Sequence, residues 1–154
     1  MLDIYIDGDA CPVKAETYRV ALRYDLAVFV VANTSLRVPA SGRVEAVVVP
    51  HGADAADDWI AEHVEEGDIV ISSDIPLAAR CLKKGAVVLG PNGRLLTDDS
   101  IGAALGSRNL LSHLRDLGEI TGGPPPFGKH DRSRFLQKLD EKIHALKRRR
   151  KKLL

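Results

Sequence analysis

Carboxylates stand in this sequence where apolar runs give way to helix starts. The stretch Leu2-Asp3-Ile4-Tyr5-Ile6-Asp7-Gly8-Asp9-Ala10-Cys11-Pro12 alternates, then ends in two aspartates around a glycine, with a proline behind them. Asp68-Ile69-Val70-Ile71-Ser72-Ser73-Asp74-Ile75-Pro76 repeats the device: a short apolar run, two hydroxyls, an aspartate and a proline. Open α/β sheets place their chemistry outside the carboxyl ends of the strands, which is where both runs put Asp7, Asp9 and Asp74. Each also has an ordinary use. Asp-Gly is common in turns, Asp9 and Asp74 suit helix caps, and Pro12 and Pro76 suit the first position of a helix.

A third group of carboxylates lies in Asp54-Ala55-Ala56-Asp57-Asp58-Trp59-Ile60-Ala61-Glu62-His63-Val64-Glu65-Glu66, which Gly67 stops. Its apolar stripe is Ala53, Ala56, Ile60 and Val64, and Asp57 falls on that stripe. Service to the helix dipole accounts for Asp54 and Asp58. It does not account for Asp57, because a carboxylate directed at a core face needs a partner or a metal.

If Asp7, Asp9, Asp57 and Asp74 share one cleft, they cannot all ionise without a cation. Oxygen ligands of this kind suit Mg²⁺ or Mn²⁺ and argue against zinc. Such an ion serves phosphoryl chemistry. Lys14, Arg37 and Arg80 each sit one element from an acidic strand end and are candidate phosphate contacts, surface charge being the ordinary alternative. Ser73 either positions a water or caps the helix. Cys11 is a poor nucleophile among carboxylates, the five histidines form no metal-ligand pair, and no Gly-x-x-x-x-Gly-Lys phosphate loop is present.

The elements that must position these groups alternate. Residues 12–24 read as a helix, 26–32 as a strand buried on both faces, and Val44 to Val49 as a third strand. After the helix at 54–66 come the run at Asp68, a helix from Leu77 to Lys84, a strand at Ala86-Val87-Val88-Leu89, and a hairpin through Gly90-Pro91-Asn92-Gly93. Asp98-Asp99-Ser100 caps a helix to about Gly106, and Asn109 to Leu117 reads as another. This alternation predicts an α/β fold with a mostly parallel five-stranded sheet flanked by helices. If strands one to three wind one way and four and five the other, the first and fourth strands are neighbours, and Asp7 and Asp74 project side by side.

The totals describe an ordinary soluble chain of 154 residues, 45% hydrophobic and 28% charged, with a net charge of +1. No run is long enough to span a bilayer, and two cysteines without C-x-x-C spacing fit a reducing cytosol without ruling out export, so a cytoplasmic protein is the expectation. The near-neutral total hides an asymmetry: residues 129–154 hold 11 Lys or Arg against 3 Asp or Glu, while residues 1–128 hold 11 against 18. We read an α/β domain at 1–120, a Gly/Pro-rich linker at 121–130, and a C-terminal basic helix at 131–154. Phe135, Leu136, Leu139, Ile143 and Leu146 should pack that helix on the same domain. A basic tail on an acidic body suits a polyanion.

The motifs Asp7-Gly8-Asp9-Ala10-Cys11-Pro12, Val31-Ala32-Asn33, Ser35-Leu36-Arg37-Val38-Pro39, Gly52-Ala53-Asp54-Ala55-Ala56-Asp57 and Asp74-Ile75-Pro76-Leu77-Ala78 resemble the bacterial YaiI/YqxD family. Arg108-Asn109-Leu110, Thr121-Gly122-Gly123-Pro124 and Asp131-Arg132 do so as well. That family is grouped with the PIN-like nucleases. The resemblance implies a Rossmann-like (PIN-like) sheet, a metal-binding acidic cleft and hydrolysis of RNA or DNA. It carries over Asp7, Asp9, Asp57 and Asp74 as the catalytic and metal set, with Asp54 a secondary ligand of Mg²⁺ or Mn²⁺. Lys14, Asn33, Arg37, Ser73 and Arg80 are the substrate contacts we expect, with nucleic acid, RNA foremost, as partner. Family members usually have alanine where this chain has Gly8. The rival readings are a non-catalytic module binding metal or nucleic acid, and a haloacid-dehalogenase-type phosphatase with Asp7 as nucleophile.

Overall fold

The computed structural model describes residues 2–52, 54–102 and 127–153. The elements run β1 (Asp3–Asp7), a 3-10 turn (Gly8–Ala10), α1 (Lys14–Arg23), β2 (Ala27–Ala32), β3 (Val44–Val48), α2 (Ala55–His63), β4 (Ile69–Ile71), α3 (Ile75–Lys83), β5 (Val87–Leu89) and β6 (Leu95–Leu96). Residues 98–102 are helical (α4), and α5 spans Lys129–Leu153. The helix expected at Asn109 to Leu117 and most of the expected linker lie outside the described residues.

The strands lie in the order β3-β2-β1-β4-β5-β6. Every pairing is parallel except the β5–β6 hairpin. The five expected strands form the parallel part, and the hairpin arm adds a sixth. This is a Rossmann-like arrangement, and its strand order reverses between β1 and β4.

Alternation within the strands explains why helices cover both faces. Ile4 and Ile6 of β1, Val28 and Val30 of β2, and Ile69 and Ile71 of β4 pack with Val20 and Ala21 of α1 and with Phe135, Leu139 and Ile143 of α5. The intervening Tyr5, Val31 and Val70 pack with Ala56 and Ile60 of α2 and with Leu77, Ala78 and Cys81 of α3. The apolar stripe expected on the C-terminal helix is thus the face it buries. Among the described residues no helix is long and apolar enough to cross a membrane.

Several boundaries differ from expectation: α3 begins at Ile75 and α5 at Lys129, each two residues early, and two further differences have a local cause. Pro12 precedes α1 instead of opening it: the helix starts at Lys14, with Val13 in the cap position. The second helix stops at His63, short of Glu66, because Val64 turns to extended backbone and buries its side chain completely.

Candidate functional site

The reversal of strand order brings Asp7 and the segment after β4 together. Ile6 pairs with Ile71, so the next residues, Asp7 and Ser72, stand opposite each other. Ser72 is buried, and its hydroxyl donates to Asp7 Oδ2 at 3.2 Å. The Ser72 Oγ itself accepts from the Asp74 backbone N–H at 3.0 Å. Asp74 in turn caps α3, its Oδ1 accepting from the Leu77 N–H at 3.0 Å. The capping role read from the sequence is therefore real, and the Asp74 charge still raises the carboxyls of Asp7 and Asp57.

Asp57 completes the group from α2. Asp54 holds the N-cap position of that helix but its side chain makes no capping bond. Burial, followed by the charges of Asp74, Asp7 and Asp54, pushes the Asp57 carboxyl from an ordinary 3.8 to about 6, against the pull of Arg80. Asp7 is also raised, chiefly by burial and then by Asp74 and Asp9, with the Ser72 hydrogen bond and Lys14 working the other way. These three carboxylates feel one another across the β1–β4 junction. A small cleft of about 20 Å³ lies there, lined by Asp7, Cys11, Ile71, Ser72, Ser73 and Pro91.

The other expected site residues divide. Asp9 is exposed, and both its oxygens accept from the Asn33 backbone N–H, at 3.2 and 3.3 Å, so it ties the first turn to the loop after β2. The Asn33 Oδ1 is shielded from solvent and has no hydrogen-bond partner among the described residues. Lys14 is held near the cleft by donating to the Cys11 carbonyl at 3.2 Å. Arg37 is exposed on the β2–β3 connection. Arg80 is committed elsewhere: it pairs with Asp58 at 2.7 Å, between two largely exposed side chains. Among the described residues no three His, Cys, Asp or Glu side chains are grouped so that they could hold a metal ion. The five aspartates expected to form a ligand set are thus gathered only loosely, with Asp7, Asp57 and Asp74 at the centre.

The basic tail lies far from this site. At the start of α5, Arg132 donates to the Pro12 carbonyl at 3.0 Å and Arg134 to the Asn92 carbonyl at 3.3 Å, beside the carboxyl ends of β1 and β5. At its other end Lys147 lies over the Tyr24 ring at 4.9 Å and Arg149 pairs with Glu66 at 3.3 Å. Tyr24 and Glu66 precede β2 and β4, so the basic end sits at the amino ends of the strands. The helix is about 37 Å long at 1.5 Å per residue, which separates the tail from the aspartates. A tail that grips the same phosphate as the cleft, as its charge alone suggests, does not match this geometry.

Two further features correct or complete the sequence reading. Both cysteines are buried and unpaired, and burial raises the Cys11 thiol and drives Cys81 up to about 11, so neither is a nucleophile at neutral pH. Ser72, not the exposed Ser73, is the hydroxyl that touches a site carboxylate. Counting alternation from Tyr5 and Val70 puts Asp7 and Ser72 on one face, but only once the strand register is known. Ser72→Ala strands the Asp74 N–H and removes a donor from Asp7. It is expected to lower stability by about 1–3 kcal/mol and to raise the Asp7 carboxyl further, whereas Ser73→Ala changes little. Thermal unfolding and a carboxyl titration followed by NMR check both.

Fold and site together define a Rossmann-like α/β protein with an acidic cleft at its topological switch point. The chain belongs to the YaiI/YqxD family, described as an uncharacterised conserved bacterial family, whose model matches residues 5–145. It is 62% identical to a UPF0178 protein of Rhodospirillum centenum, over 96% of this chain and 99% of the relative. A UPF0178 protein of Paramagnetospirillum magneticum is 59% identical over 96% and 98% of the two chains, and one of Azorhizobium caulinodans 55% identical over 96% and 92%. No solved structure matches the chain significantly.

Proposed function

We propose that this protein hydrolyses phosphodiester bonds in nucleic acid, RNA foremost, at the cleft between β1 and β4. One observation carries the reading: Asp7 and Asp74 are linked through Ser72 at the reversal of strand order. Asp57 lies within reach of both charges. A donor set made only of oxygens suits a hard cation. Mg²⁺ or Mn²⁺ that keeps most of its water and takes one or two carboxylates directly is a better match than a dehydrated ion in a protein cage. Asp7, Asp57 and Asp74 are the residues to hold it, with Asp9 and Asp54 adding to the local field. When bound, such an ion offsets phosphate charge and acidifies water.

The chain's own groups do the rest. Ser72 fixes the Asp7 carboxylate in place, so that its free oxygen keeps one direction. Lys14 supplies a positive charge near Asp7 for a backbone phosphate. Ser73, on the cleft wall, and Asn33 and Arg37, on the loop after β2, contact the strand. Arg80 acts only indirectly, through its pair with Asp58 and its pull on Asp57.

Incubation with single-stranded RNA and DNA in EDTA, Mg²⁺ or Mn²⁺ tests the reading. Scission is expected only with metal, and Asp7→Asn should slow it by on the order of a hundredfold with little change in unfolding temperature. Scission that ignores Asp7→Asn ends the proposal. The lack of a three-ligand group among the described residues favours a second reading, a module that binds nucleic acid without cutting it. In that case no metal yields scission, and Asp7→Asn binds as the wild type does.

A further inference from the structure

A larger hollow adjoins the aspartate cleft. Its volume of about 420 Å³ falls within the roughly 300–1,000 Å³ of small-molecule sites. Ile75 at the start of α3, Pro91 in the hairpin turn, Leu96 of β6 and Phe127 give it apolar walls, with exposed Arg94 beside them. Ser73 and Pro91 line both this hollow and the small cleft that contains Asp7 and Ser72, so the two spaces share a wall.

The wall is set before any ligand arrives. Gly90 N–H donates to the Arg94 carbonyl and Gly93 N–H to the Gly90 carbonyl, both at 2.9 Å, and Asn92 Oδ1 accepts from the Arg94 N–H at 3.0 Å. The Arg132 guanidinium lies 4.9 Å from the centre of the Phe127 ring and holds it from one side. The Arg94 guanidinium itself has no hydrogen bond or ion pair among the described residues. Flat apolar walls, an aromatic ring and an uncommitted guanidinium beside them match a ligand with a flat body and an attached anion.

We propose that this hollow takes one unstacked base of a single-stranded nucleic acid, with Arg94 on an adjoining phosphate and the next phosphate at the aspartate cleft. The proposal rests on the reading of that cleft as a phosphodiester site. Stacking on an aromatic side chain accepts any base, because every base has a π-face. A base inside a duplex cannot enter without being flipped out, so the hollow selects single strands.

Binding is measured in EDTA, where nothing is cut, with labelled oligonucleotides of about 12 nucleotides, a length within the site sizes of single-strand binders. The probes are a single-stranded RNA, the DNA of the same sequence, their duplex forms, and an abasic sugar–phosphate strand of equal length. The single strands should bind roughly tenfold tighter than duplex or abasic probes. Arg94→Ala, an exposed change, should weaken single-strand binding several-fold and reduce the salt slope by about one. Leu96→Trp, which fills the hollow, should erase the preference for intact bases. Abasic or duplex probes that bind as tightly as intact strands overturn the proposal, as does a preference untouched by both variants. The two readings fail separately. Base-dependent binding without scission in any metal leaves the hollow and removes the nuclease. Scission that is indifferent to both variants does the reverse.

Discussion

Gly93→Ala is expected to lower the unfolding temperature by about 10 °C, corresponding to roughly 3 kcal/mol in a chain of this size. Gly93 is buried in the hairpin turn at φ +84°, and a Cβ there would lie 2.6 Å from the Arg134 carbonyl carbon and from the Phe135 nitrogen. Those are backbone atoms of α5, so they cannot swing aside as the end of a side chain would. Relief requires lifting the first turns of α5, and with them Phe135, which is fully buried against the sheet. Gly42→Ala is the internal control. Gly42 has φ +77° but nothing among the described residues within 4 Å of an added Cβ, so its substitution carries the backbone strain alone, about 1 kcal/mol. Equal losses for the two variants would mean that α5 does not dock against the turn.

Asp57→Asn is expected to act in the opposite direction, raising stability at pH 7 while removing most of the response to metal. The Asp57 carboxyl is held near 6 in the folded protein against an ordinary 3.8. Between those values the native state binds more protons than the unfolded chain. The stability Asp57 contributes is therefore present below about pH 4 and is lost as pH rises through 6. Asparagine abolishes that slope. After allowance for solvent screening the gain at pH 7 is on the order of 1 kcal/mol, about 3 °C. Millimolar Mn²⁺ should raise the wild-type midpoint by linkage and the variant's much less. A midpoint that falls in the variant at pH 7, or an unchanged slope between pH 4 and 6, shows that Asp57 does not share a field with Asp7 and Asp74.

The contrast with Asp68 shows what makes the cleft aspartates unusual. Asp68 is one of the most buried polar residues among those described, at 2% exposure, and its carboxylate accepts from the backbone N–H groups of Asp3 at 3.1 Å and Glu65 at 2.9 Å. Two donors at the amino ends of the strands offset part of that burial, which still raises the Asp68 carboxyl. Asp57 faces other carboxylates instead of donors. Carboxylates crowded at a switch point repel one another, and a bound cation would relieve that repulsion.

By itself the sequence determined the α/β class, the order of strands and helices, and the strand ends at which Asp7 and Asp74 stand. Those properties live in short-range periodicity: Ile4 and Ile6 against Tyr5, or Phe135, Leu139 and Ile143 at helical spacing, are legible without knowing any partner. The buried stripe of α5 was legible for the same reason. Only the tertiary structure decided which groups meet. The pairing of Ile6 with Ile71 puts Ser72 on Asp7 and turns Ser73 away, and a shift of one residue would have exchanged them. Arg80 found Asp58, 22 residues away in the chain, and acts on the cleft only through its pull on Asp57. The basic end of α5 looks like a grip for the same strand as the aspartates when charge is counted along the chain. The helix instead starts at the carboxyl ends of the strands and runs down the sheet, which carries that charge to the opposite end of the molecule. Charge along a chain is a one-dimensional quantity, and its distance from a site is set by packing.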